Sequence, residues 1–178
     1  MGKKTAILAL SLCLVFALTA CDWFEEDEDE IGGEGVFVGN QALDFTETDT
    51  NGSTVSLSQF RGKVILLTFS TMWCEPCKRE AGTLQEMYQD YREQGFDIVQ
   101  VIYEDESGQP SDINDINRWK DEYGLTFTIV NDPDSSTVDN YQISAVPLNL
   151  LIDREFVIRY RNEGFNEEAM TALIEDLL

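Results

Sequence analysis

Histidine is absent from all 178 residues. That excludes haem attachment through a Cys-x-x-Cys-His motif and removes imidazole from any metal-ligand set. Basic residues are scarce, 12 against 34 acidic, which leaves a formal charge of −22 at neutral pH. A surface of this sign repels nucleic acid and anionic lipid headgroups and favours solubility. Long apolar runs are missing too: the stretch around residues 6–17 amounts to about 15 residues, short of the ~20 a spanning helix requires. There are four cysteines and four prolines, and two of the cysteines enclose one of the prolines. The chain is long enough for one domain with a real core plus appendages.

Lys3 and Lys4, the apolar stretch after them and the small residues before Cys21 read as a targeting segment. Leu18-Thr19-Ala20-Cys21 resembles a bacterial lipobox, which implies a diacylglyceryl group on Cys21 as the mature N-terminus; the alternative is an uncleaved anchor. Either way the rest of the chain is expected outside the cytoplasm. The predicted division is a signal peptide over 1–20, a tether over 21–40 and a folded domain over 41–178. Residues 25–30 are all acidic and Gly32, Gly33, Gly35 and Gly39 follow, a composition expected to stay extended because it cannot bury a core. Asp22 after the lipidated Cys resembles the signal that retains some enterobacterial lipoproteins in the inner membrane. Cys13 leaves with the signal and Cys21 is taken by lipid, so only Cys74 and Cys77 remain as thiols. No tetrahedral zinc site is expected from two cysteines and no histidine. Loss of Lys3 and Lys4 takes the formal charge from −22 to −24.

Within the predicted domain, two alternating segments flank Thr50-Asn51-Gly52-Ser53, a hairpin signal. Residues 64–69 are apolar on both faces, as in a central strand covered on each side. Ala81, Leu84, Met87, Tyr88 and Tyr91 then recur at helical spacing up to Gly95, and residues 97–103 read as a second buried strand. Strand, helix, strand gives a parallel pair with a crossover. Residues 111–123 predict an inserted helix ending at Gly124, residues 127–130 a short strand and residues 138–141 a brief helix. Pro147 precedes another strand, residues 155–160 alternate as a closing antiparallel strand, and residues 167–178 form a last helix with Asn166 as N-cap.

The chemistry concentrates in Trp73-Cys74-Glu75-Pro76-Cys77, between the first buried strand and the first long helix. Two cysteines at this spacing close a small ring on the first helical turn, where free backbone N–H groups and the helix dipole favour a thiolate. Cys74, nearer solvent, is the expected attacking thiol, and Cys77, one turn in, the covered resolving thiol. The alternative is a structural disulfide that never exchanges. Glu75 opposes a neighbouring thiolate and so favours a reducing pair, or it is an exposed carboxylate of little influence. Potentials of related dithiols span ~150 mV, about 7 kcal/mol, so Glu75 alone does not set the poise. Pro76 suits the opening of a helix. Trp73 shields the pair and offers an apolar contact, or is a core aromatic. Glu80 stands one turn after Cys77 and either points inward toward that sulfur or is solvated.

This order of parts resembles the thioredoxin fold and, within it, the TlpA/ResA-like thiol-disulfide oxidoreductases, over about residues 40–178. The resemblance implies an α/β thioredoxin-like fold: a central mixed sheet flanked by helices, with an N-terminal β-hairpin and an inserted helix. It makes Ala145-Val146-Pro147 the cis-proline loop that lies against the cysteines and presents the Val146 backbone to a partner strand. Leu148 departs from the usual Thr and makes that groove more apolar. Many thioredoxins carry a buried Asp where Thr68 stands, whereas cytochrome-maturation members carry a Glu at the spacing of Glu80, where it relays the proton of Cys77. The implied cofactor is none beyond the redox-active Cys74–Cys77 pair. The implied partners are a protein carrying a disulfide or thiols, such as apocytochrome c, and a membrane electron donor of the CcdA or DsbD kind. The implied location is the outer face of a bacterial membrane, held by the lipid on Cys21, and periplasmic in a Gram-negative cell.

Two other readings compete. Thr71 precedes Cys74 by the spacing of the peroxiredoxin hydroxyl, although Leu67 stands where those enzymes have Pro. A copper chaperone on the same fold would need a distant His, which the chain lacks.

Overall fold

The computed structural model describes residues 32–178. The predicted signal peptide, the lipidation site Cys21 and the acidic run all lie outside the described residues. Among those described, the order is β1 (Gly32–Gly35), β2 (Asn40–Ala42), β3 (Thr46–Asp49), β4 (Thr54–Ser56), β5 (Val64–Ser70), α1 (Glu75–Tyr91), β6 (Phe96–Ile102), α2 (Ile113–Tyr123), β7 (Thr128–Asn131), α3 (Ser136–Asn140), β8 (Leu148–Ile152), β9 (Ile158–Glu163) and α4 (Glu167–Leu177). Seven strands form one mixed sheet in the order β4-β3-β7-β6-β5-β8-β9, and β1 and β2 form a separate parallel pair. No helix among the described residues is long and apolar enough to cross a membrane.

The period of two along the central strands assigns each side chain to a face. Val64 and Leu66 of β5 join the cluster that holds Ala81 and Leu84 of α1, Trp119 of α2 and Ile174 of α4. Ile65, Leu67 and Phe69 join the opposite cluster with Tyr141, Val130 and Phe156. Ile98 and Ile102 of β6 face the first cluster, Val99 and Val101 the second. Burial on both faces is what a strand with no alternation requires, and β5 and β6 are buried at every position. The same parity sets Thr68 on the α1 face of β5. It sets Asn149 there too, because its neighbour in that register, Leu151, belongs to the α1 cluster while Leu148, Leu150 and Ile152 face away.

The helix ends follow local chemistry. Asp112 caps α2 through a complete capping box with Asp115, Gly124 closes it, and Asn166 caps α4 by accepting from Ala169 N. The predicted hairpin forms as β3 and β4, paired antiparallel. Its turn spans four residues because Asp49 Oδ1 accepts from Asn51 N and Ser53 N, both at 2.8 Å. The closing strand begins at Ile158 rather than 155, since a turn held by Asp153 Oδ1, which accepts from Glu155 N and Val157 N, occupies the intervening residues.

The tether expectation is corrected at its C-terminal end. Residues 32–40 are folded onto the domain: β1 pairs with β2, Val36 is buried and Gly39 N donates to Ile158 O at 2.9 Å. Of the glycines that read as flexible spacers, Gly32 and Gly35 act by close approach. A Cβ at Gly35 would stand 2.6 Å from the Asn40 side chain, and Gly39 turns the chain back at φ +91°.

A buried polar chain links three elements on the α1 face. Trp119 Nε1 donates to Gln100 Oε1 and Gln100 Nε2 donates to Ser70 Oγ, both at 3.0 Å. Trp119→Phe removes one donor and leaves the Gln100 oxygen unpaired in the core, so it is expected to cost about 2–4 kcal/mol. Urea denaturation measures this; a cost under about 0.5 kcal/mol would show that the chain carries no stability.

Candidate active site

β5 ends at Ser70, and the next four residues carry the chain over to α1. Cys74 is the N-cap of α1, and its sulfur accepts from Cys77 N at 3.2 Å, one of the four donors a helix leaves unpaired at its start. Pro76 stands in the first turn, where its missing N–H costs nothing. Cys74 and Cys77 are joined as a disulfide with Cα atoms 5.3 Å apart. When the bond is reduced, the same N–H and the positive end of α1 act on the Cys74 sulfur and stabilise its thiolate.

Across from the disulfide lies the loop before β8. The Val146–Pro147 peptide bond is cis, and Val146 O is 3.6 Å from Cys74 Sγ. Ala145 is exposed, Val146 half-buried and Pro147 buried, so the backbone just before the proline is what an incoming chain meets. Leu148 is buried, facing the sheet side opposite α1. The two sulfurs differ less than their spacing along the helix suggested: Cys74 is 2 % exposed and Cys77 fully buried. Cys74 remains the outer one, and in the oxidised form the Val146 carbonyl lies against its sulfur. A groove of about 300 Å³ opens beside the pair, lined by Pro76, Arg79, Glu80, Thr83, Pro147, Phe165 and Glu167.

Trp73 is 47 % exposed and is no core residue; its Nε1 donates to Glu104 Oε2 at 2.6 Å, which fixes the ring at the rim. Glu104 had no distinguishing signal in the sequence, since it lies 31 residues away in a loop rich in acids. Glu75 is exposed and bonds Lys78 Nζ at 2.7 Å. That hydrogen bond and the Lys78 charge hold its carboxyl below the usual range. The predicted opposition of Glu75 to the Cys74 thiolate is therefore partly offset by a cation one turn along.

Glu80 points inward. It is 3 % exposed, on the helix face that also carries Cys77. Thr68 Oγ1 donates to Glu80 Oε1 and Asn149 Nδ2 to Glu80 Oε2, each at 3.5 Å. Thr68 and Asn149 are cross-strand partners on β5 and β8, so the sheet register delivers both to one carboxyl. Burial pushes the Glu80 pKa up to about 8, and the two long hydrogen bonds offset only part of that rise. Asn149 was missed in the sequence; its signal was a lone amide in the otherwise apolar run Leu148-Asn149-Leu150-Leu151-Ile152. Thr71 is buried and its Oγ1 has no protein partner, while its carbonyl accepts from Cys74 N at 3.3 Å. Leu67 is core. Among the described residues no group of three or more Cys, Asp or Glu side chains is arranged to hold a metal ion.

Known proteins match this arrangement along most of the chain. The AhpC/TSA family model matches residues 38–161. The thiol-disulfide oxidoreductase ResA of Geobacillus kaustophilus is 33% identical over 151 residues, covering 85% of this chain and 80% of that protein. ResA of Bacillus subtilis is 33% identical over 155 residues, covering 87% and 83%. Among solved structures, the provisionally named thiol:disulfide interchange protein DsbE of Chlorobium tepidum superposes with a TM-score of 0.72 at 27% identity, over 80% of this chain and 99% of that one. The thioredoxin domain of a thiol-disulfide oxidoreductase from Bacteroides vulgatus, at 23% identity and a TM-score of 0.69, shares the fold over 81% of this chain. With a dithiol pair capping α1 against a cis-proline loop, and relatives of this similarity, the chain belongs to the AhpC/TSA family and within it to the ResA-like thiol-disulfide oxidoreductases.

Proposed function

We propose that this thiol-disulfide oxidoreductase works as a reductase of protein disulfides outside the cytoplasm, held to a membrane by lipid on Cys21. The observation that carries the reading is the Cys74–Cys77 disulfide at the N-terminus of α1, beside the Val146–Pro147 loop and above buried Glu80. In the reduced protein the Cys74 thiolate attacks one sulfur of a partner disulfide, forming a mixed disulfide and releasing the other partner sulfur as a thiolate that takes up a proton. The partner backbone pairs with Val146 as an added strand while this bond exists. Glu80 then takes the proton from the Cys77 thiol. The resulting thiolate attacks Cys74 Sγ, the mixed disulfide breaks, and the second partner sulfur leaves with the electron pair and is protonated. One partner disulfide becomes two thiols and the Cys74–Cys77 dithiol becomes a disulfide. A membrane dithiol donor of the CcdA or DsbD kind restores the reduced form, and apocytochrome c is the substrate class the family resemblance favours.

The electrostatics support the relay. A carboxyl whose pKa is about 8 is close to an unperturbed thiol at about 8.5, so the proton moves between them with little driving force lost. The peroxidase alternative rests on the unpartnered Oγ1 of Thr71; peroxide consumption by the purified protein, with no reduction of protein disulfides, would favour it.

Cys74→Ser is expected to abolish reduction of insulin disulfides, and unchanged turnover would reject the mechanism. Cys77→Ala is expected to trap the partner as a mixed disulfide identifiable by mass. Glu80→Gln is expected to slow resolution of that disulfide by about 100-fold and to lack the rise in rate expected of wild type as pH passes about 8; stopped-flow profiles of both proteins decide it.

Stability has its own sign. The Glu80 pKa is raised in the fold from 4.5 to about 8, so the folded state holds a proton that the unfolded chain has lost. Its contribution is fully present below about 4.5 and is lost as pH rises to about 8. Glu80→Gln lacks this loss, so its stability relative to wild type is expected to grow by on the order of a few kcal/mol between pH 5 and 8.5. Paired urea titrations at the two pH values measure it.

A further inference from the structure

Asn149 presents an arrangement that packing alone does not require. It is fully buried on β8, and its Nδ2 serves two acceptors at once: Gly164 O at 3.1 Å and Glu80 Oε2 at 3.5 Å. Its Oδ1 is buried with no protein partner. An amide can rotate to exchange its oxygen and nitrogen, and the surroundings decide which way it points. Here rotation would bring Oδ1 against the Gly164 carbonyl, and against the Glu80 carboxyl as well when that group is ionised. Gly164 is tied in turn to the cis-proline loop, because Gly164 N donates to Pro147 O at 2.8 Å. The cost of this orientation is an unpaired buried oxygen. What it yields is a hydrogen-bond donor aimed permanently at Glu80.

We propose that Asn149 is the positioning residue for Glu80: pinned by the Gly164 carbonyl, its amide orients the carboxyl toward the dithiol and favours the ionised, proton-accepting form. This rests on the proton-relay reading of Glu80 for its catalytic consequence, though the effect on Glu80 itself does not. The neighbouring groups agree. From β5 the polar group on Glu80 is the Thr68 hydroxyl, which donates to the other carboxyl oxygen and also favours the ionised form, but as a free rotor it can turn to accept from the acid. From α1 itself the neighbours are Cys77 one turn back and Arg79 on the groove wall, and from the start of α4 the groove is lined by Glu167. None of these is hydrogen-bonded to the Glu80 carboxyl, so among the described residues its donors are Thr68 and Asn149, and of the two only the amide is held in one orientation by a further acceptor, Gly164 O. The path Pro147 O, Gly164, Asn149, Glu80 also joins the loop that meets the partner to the group that moves the proton.

The test is the titration of Glu80 itself, followed by carbon NMR of labelled carboxyls in the oxidised protein, with the Glu80 signal assigned by its loss in Glu80→Gln. Asn149→Leu keeps the branched shape and removes the donor, and is expected to raise the Glu80 midpoint by about one pH unit, a tenfold smaller ionised fraction at neutral pH. Asn149→Thr, a β-branched residue that suits the strand and retains a hydroxyl donor, is expected to restore at least half of that shift and serves if the Leu variant does not fold. Exchange rates are then read against pH: the midpoint is expected to move with the titration in Asn149→Leu and to be absent in the Glu80→Gln, Asn149→Leu double variant. A Glu80 midpoint unchanged in Asn149→Leu, or equally raised in Asn149→Thr, overturns the proposal. A rate profile unaltered by Glu80→Gln would instead overturn the relay, while the titration would still decide the role of Asn149.

Discussion

Cys77 N–H directed at Cys74 Sγ, at 3.2 Å, is the contact through which the fold reaches the chemistry. A helix begins with donors that have no intrahelical acceptor, and here the acceptor supplied to one of them is the sulfur that must carry negative charge. For this to operate, the start of α1 has to be held still, and two buried surfaces hold it. Beneath, Ala81 and Leu84 pack on Val64 and Leu66 of β5 and Ile98 of β6. In front, the Val146–Pro147 loop closes on Cys74, secured by the bond from Gly164 N to the Pro147 carbonyl.

Placing a carboxyl under the same helix runs against the usual rule for cores. Glu80 is buried and receives two hydrogen bonds, both long. Ionised, it would be poorly solvated; neutral, it is tolerated. The pKa of about 8 is the balance of these two effects, and it brings a side chain that is ordinarily a weak base into the range where it exchanges protons with thiols. The outer side of the site is handled differently. Glu75 is exposed and tied to Lys78, and Trp73 is tied to Glu104, so the charges and the aromatic at the rim are paired with one another rather than with the dithiol.

Much of the scaffold could be read directly. Unbroken apolar runs in β5 and β6, the Asn-Gly hairpin turn, the cap residues Asn166 and Gly124 and the Cys-x-Pro-Cys spacing act over a few neighbouring residues, where period and turn chemistry suffice. Boundaries drifted where a side chain competed for the backbone, as Asp153 does in delaying β9. The glycine-rich stretch misled because glycine has two uses, freedom and closeness. Composition could not tell that residues 32–40 would fold back and bury Val36 against the sheet.

The chain itself determined that two thiols would stand on the first turn of a helix behind a buried strand, because helix starts, strand periodicity and the Pro between the cysteines are local properties. Tertiary structure alone decided what surrounds them. Thr68 and Asn149 lie far apart along the chain and become neighbours only through the β5–β8 register; Glu80 becomes a buried acid only because α1 lies across that pair; and Cys74 meets the Val146 carbonyl because a loop 72 residues away returns to it. Burial and register depend on where distant segments meet, and a pattern of residue types carries no measure of that distance.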